Sequence, residues 1–212
     1  MVDVVPSFRI RLSRLAAGLV ACLCLAAAPA EAHRTTTGPT TGISIPGLTH
    51  GQMAVIAEYR SQILALADRQ PFDTDETFFR LRNYVELQYM YCLWGVVPGS
   101  VADESSPFNE CSHAYLSGLQ ALLLHMRTMR GDQTEVVALI DRIELEMLAH
   151  NASMILCQYS NEPFNTADHV SPHWRDVPFH APSLLTFLGI GSLGFSAGGL
   201  ARRVLRGPAG RA

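Results

Sequence analysis

Apolar positions recur through the middle of the chain at spacings of three and four, the interval that places side chains on one face of an α-helix. The first series is Met53, Ile56, Ile63 and Ala67, opened by the capping-box pair Thr49 and Gln52 and closed by Gln70-Pro71. A second starts within Asp73 to Glu76, runs through Phe78, Leu81, Val85, Tyr89 and Cys92, and stops at Gly95 before Pro98. Its later half, Tyr84 to Val97, is apolar on most sides, which predicts a central helix with neighbours on several faces. A third, from Glu110 to Arg130, turns Tyr115, Leu119, Leu122 and Met126 inward and ends at Gly131. The fourth opens on a second capping-box pair, Asp132 and Glu135, and carries Val136, Ile140, Ile143, Met147 and Met154 toward Tyr159. No strand signal of useful length interrupts them, so residues 50–160 are expected to form an all-α domain, an up-down four-helix bundle.

Two apolar runs without periodicity flank this body. Leu15 to Ala28 follows Arg9, Arg11 and Arg14 and ends in the small-x-small sites Ala28-Pro29-Ala30 and Ala30-Glu31-Ala32. Its length falls short of the roughly 20 residues a spanning helix needs, so residues 1–32 read as a signal peptide cleaved after Ala32. Acylation at Cys22 is the competing reading; the chain stays apolar beyond it, where a lipoprotein turns polar. Ser183 to Ala201 holds no formal charge, and a helix of that length covers about 28 Å. It reads as a transmembrane helix, residues 183–201, followed by a basic cytoplasmic tail, 202–212, with Arg202, Arg203, Arg206 and Arg211. Gly194 and Gly198 have the spacing at which two membrane helices approach closely, which suggests a homodimer. Between these parts, 33–49 reads as a flexible Thr/Gly/Pro leader and 161–182 as a Pro/His linker. The expected location is single-pass in a membrane, with the main domain periplasmic or extracellular.

The tail also resembles the exosortase-type sorting signals of some Gram-negative bacteria. The matching pieces are Pro182-Ser183-Leu184, Leu188-Gly189-Ile190-Gly191 and Ala201-Arg202-Arg203. That resemblance implies processing at the tail. His180-Ala181-Pro182 replaces the acidic residue usual between the prolines.

Composition narrows the chemistry. From His33 to Pro182 there are 9 Arg against 17 Asp and Glu, a formal charge of −8 that disfavours nucleic acid as a partner. Lys is absent from the whole chain, which excludes Schiff-base and phosphate-loop lysine chemistry. Beyond the leader, Cys92, Cys111 and Cys157 fall at one end of the expected bundle. Export makes a disulfide between two of them the expected outcome, with all three pairings open. Closing Cys92 to Cys111 would be worth roughly 3 kcal/mol in the chain-entropy model.

Catalytic grammar is thin: there is no Cys-x-x-Cys and no glycine-rich phosphate loop after a strand, and the one Gly-x-Ser-x-Gly, Gly194 to Gly198, lies inside the apolar run near the tail rather than between a strand and a helix. Glu110-Cys111-Ser112-His113 supplies one half of a carboxylate-bridged di-iron pattern and lacks the other. Glu146 and His150 read as a helix-face hydrogen bond, His125 as a polar edge of the core, and Tyr84, Tyr89, Tyr91 and Trp94 as packing. The metal-binding alternative rests on His169, His173 and His180 in the linker and His33 at the new amino terminus. No catalytic, cofactor or metal residue is assigned. The expected role is a non-enzymatic binding or assembly component of the bacterial envelope, with the membrane and an unknown protein as partners. The intact mass of mature protein is expected to correspond to a chain beginning at His33; a chain retaining Met1 or a diacylated Cys22 would refute cleavage after Ala32.

Overall fold

Thr49 starts the first helix as its sequence predicts: its hydroxyl accepts the Gln52 N–H while the Gln52 side chain accepts the Thr49 N–H. The computed structural model describes residues 42–70 and 75–205. The leader up to Thr41, with the cleavage site at Ala32 and with His33, lies outside the described residues, as does the tail from Arg206. In chain order the elements are β1 (Ser44–Ile45), α1 (His50–Arg69), α2 (Glu76–Tyr91), α3 (Asn109–Met126), α4 (Thr134–Ala149), β2 (Phe164–Asn165) and α5 (Ala181–Leu205). The protein is therefore mostly helical with little sheet.

The central helix is α3, not the α2 segment whose apolar run predicts that place. Thirteen of its 18 residues are buried, and it packs against α1, α2 and α4. The reason lies in side-chain size. Ser112, Ala114, Ser117 and Gly118 alternate with Tyr115, Leu116, Leu119 and Leu122, so neighbours can close in from several sides. Gly118 shows how tightly: a Cβ there would sit 2.9 Å from the ring of Tyr84 on α2. By contrast α2 leaves Leu87, Met90 and Tyr91 exposed, with Arg80 and Glu86 also turned toward water. Phe78, Tyr84, Phe108, Ile56, Ile63 and Leu119 form the fully buried centre.

Cys92 and Cys111 are joined, linking the end of α2 to the first turn of α3 across a Cα–Cα distance of 5.5 Å. Nearby, the buried Gln88 side chain imitates a strand edge. Its Oε1 accepts the Val170 N–H at 3.2 Å and its Nε2 donates to the Val170 carbonyl.

The fourth helix is shorter than its apolar stripe. It ends at Ala149, because Asn151 takes a left-handed backbone, φ 49°, that a helix interior does not admit and that Asn tolerates. A 3-10 turn at Ala152–Met154 follows, and Met154 is exposed rather than inward. The start also differs: Asp132 accepts the Thr134 N–H and hydroxyl instead of forming a capping box with Glu135.

The expected leader and linker are packed where they are described. Ile45 and Leu48 are buried, and β1 pairs antiparallel with β2, Ile45 opposite Phe164. His173 donates its backbone N–H to Pro107, and a 3-10 turn at Val177–Phe179 leads into α5. The folded body thus extends beyond residues 50–160 on both sides.

Asp75 caps α2, accepting the Phe78 N–H at 2.9 Å and facing His125 Nε2 at 2.9 Å. The Phe78 bond, joined by His125 and opposed by partial burial, holds its carboxyl below the ordinary range. A carboxyl lowered in the folded state stabilises above its unfolded pKa and loses that contribution as pH falls through the folded value. Asp75→Ala is expected to cost about 1 kcal/mol at neutral pH, with the gap to the parent chain narrowing once pH drops below the ordinary carboxylate range. Urea unfolding across pH measures this; a gap independent of pH would contradict it.

Candidate functional site

The amino ends of α1 and α3 and the loop after α4 meet at one end of the body. Backbone and capping groups draw them together: the Thr49 hydroxyl donates to the Ala152 carbonyl at 2.8 Å, and the Gly51 N–H to Ile155 at 3.1 Å. Gly51 makes this approach possible, since a Cβ there would lie 2.4 Å from the Ala152 oxygen. Asn161 N–H bonds Leu48 at 3.0 Å, fixing the far end of the loop.

Into this junction project His50 from the first position of α1, His113 from the second turn of α3 and Cys157 from the loop. Their donor atoms lie within 4.8 Å of one another. His113 is fully buried and its Nε2 stands 3.1 Å from the Cys157 sulfur. His50 is 9% exposed, with its ring 6.0 Å from that of His113. Among the described residues the His50 ring makes no hydrogen bond, and its Nδ1 is buried without a partner. Leaving such a group unsatisfied costs about 1–3 kcal/mol.

The surroundings favour neutral imidazole. Burial, then the neighbouring His50, pushes His113 down to about 4, opposed by a backbone hydrogen bond at Leu48. The Ser160 hydroxyl accepts the backbone N–H groups of both His50, at 3.2 Å, and Cys157, at 2.8 Å, and lies 3.6 Å from the thiol. Asn109 Oδ1 is 3.9 Å from the same sulfur.

The linker histidines go elsewhere. His169 lies against the rings of Tyr84 and Tyr91, His173 Nε2 meets Glu110 at 2.6 Å, and His180 Nε2 meets Asp103 at 2.9 Å. They do not converge. His150 Nδ1 faces the Glu146 carbonyl at 3.0 Å, while the Glu146 carboxylate accepts from Tyr59. Glu110 of the half di-iron pattern is taken by His173. Tyr89 and Tyr115 lie under the Arg60 guanidinium and line a groove of about 330 Å³ between α1 and α2. Of the three cysteines expected at one end, the structure joins two and leaves Cys157 free and half-buried. His50 carries no sequence signal except its place directly after the helix cap.

No family model, curated protein or solved structure matches this chain. The site is therefore read from its own geometry. In native protein beginning at His33, thiol titration is expected to find one reactive sulfhydryl, removed by Cys157→Ser, and three after reduction and unfolding. Three in the native, unreduced protein would contradict the bridge.

Proposed function

We propose that the chain is an exported, membrane-tethered protein whose helical domain, an up-down four-helix bundle, docks a protein partner as a binding or assembly component of the bacterial envelope. One observation carries the tether. The window Ala181–Gly198 of α5 has a mean hydropathy of 1.3 and is almost wholly exposed. Leu185, Leu188, Ile190, Leu193 and Phe195 are each more than half exposed. In water each would forgo about 1.5–3 kcal/mol of available burial, whereas in a lipid core all are satisfied. This helix is long and apolar enough to cross a membrane.

Orientation follows from the Arg cluster after the helix, which favours the cytoplasm and leaves the main domain outside. An oxidising compartment there suits the Cys92–Cys111 bridge. For the partner, the body offers an exposed apolar stretch at the end of α4 and beyond: Leu145, Leu148, Met154, Ile155 and Leu156. Gly194 and Gly198 also face open space, which leaves room for a second copy of α5. The second reading, processing at an exosortase-like tail, rests on the motif pieces around Pro182 and predicts mature protein lacking residues after the cut.

The test is fractionation. Full-length protein is expected in membranes and resistant to alkaline extraction, while a chain ending at Leu188, which keeps the Phe187 contacts with Phe108 and Trp174, is expected to be soluble. Photocrosslinking from Leu148 in intact cells should then yield a protein adduct. Recovery of full-length chain in the soluble fraction would defeat the tether, and recovery of monomer alone would defeat the docking role.

A further inference from the structure

The junction that gathers His50, His113 and Cys157 goes beyond a tethered docking domain. We propose that these three side chains form a binding site for one thiolate- and imidazole-preferring transition-metal ion, zinc or copper(I), reached by none of the linker histidines. The donor set decides the class of metal. One sulfur and two imidazole nitrogens suit zinc and copper and disfavour magnesium, calcium and manganese, which prefer oxygen.

Geometry agrees. Zinc bond lengths of about 2.0–2.3 Å place two donors on one tetrahedral ion roughly 3.3–3.8 Å apart. The three donors here already lie within 4.8 Å, with the His113–Cys157 pair at 3.1 Å, so adjustments on the order of 1 Å complete the set. His50 makes no competing hydrogen bond among the described residues, and the buried His113 directs its Nε2 at the thiol. Supporting groups are present too. Ser160 holds the backbone of two of the three ligands through one hydroxyl, and Gly51 lets α1 approach the loop that carries the third. Three protein donors leave the fourth position of a tetrahedral ion to water or to a group from a partner. The exchange is simple: Cys157 loses its proton to solvent and the thiolate takes the metal, with no change of oxidation state.

The experiment uses the chain from His33 to Ala212 in detergent with the Cys92–Cys111 bridge intact, titrated separately with Zn(II), with Cu(I) held by a competing chelator, and with Mg(II). One equivalent of Zn(II) or Cu(I), but not Mg(II), is expected to bind. Whichever binds is expected to protect Cys157 from alkylation in the unmodified protein, a measurement that requires no variant to fold. Cys157→Ser and His50→Gln should each weaken binding at least about tenfold, whereas the combined His169→Gln, His173→Gln and His180→Gln chain should bind as the parent does. Absence of protection by any of the metals, uptake unchanged in Cys157→Ser, or loss of binding in the linker variant would each overturn the proposal. So would recovery of Cys157 as a disulfide between two copies of the chain.

Discussion

Burying α3 on several faces at once is the constraint from which the rest of the body follows. A helix surrounded in this way cannot leave polar side chains to water, so Asn109 and His113 take partners from what packs against them, while among the described residues the Ser117 hydroxyl is buried without one. Asn109 is answered by the carbonyls of Ser100 and Val101, which ties the long α2–α3 connection down onto the helix start. His113 is answered by a cysteine from a loop more than forty residues downstream. The disulfide two residues before it holds the same end of α3 against α2, so this polar turn of the core is also covalently cross-linked.

Helices with local signals were legible in the chain. Thr49 with Gln52 specifies the start of α1 within four residues, and the structure contains both hydrogen bonds. The end of α4 was not legible by the same means. Met147 and Met154 keep the apolar spacing running, and only the His150-Asn151 pair, with Asn in its left-handed role, marks the stop. The segments on either side of the helical body were harder still. Two-residue strands have no periodicity of their own, and β1 exists only because β2, over a hundred residues later, lies beside it.

The same distinction governs the site. Glu110-x-x-His113 drew notice as a familiar spacing, yet its glutamate is engaged by His173 and its histidine by Cys157. The residues that do converge stand at 50, 113 and 157, on three separate elements, where no spacing rule applies. What could have joined them is topology: α1 and α3 begin, and α4 ends, at a common end of the body, so residues just inside those termini become neighbours.

The fastening of residues 164–180 has a mechanical consequence. Phe164 is in the sheet, Val170 is held by Gln88, and His180 is bonded to Asp103, while α5 begins at the very next residue. A tether normally supplies slack, letting a domain sample a hemisphere above its anchor. Here the strap is stitched to the body along its length, so on the tethered reading the domain stands at a set height and attitude over the bilayer. The face bearing Cys157 would then keep one orientation relative to that anchor.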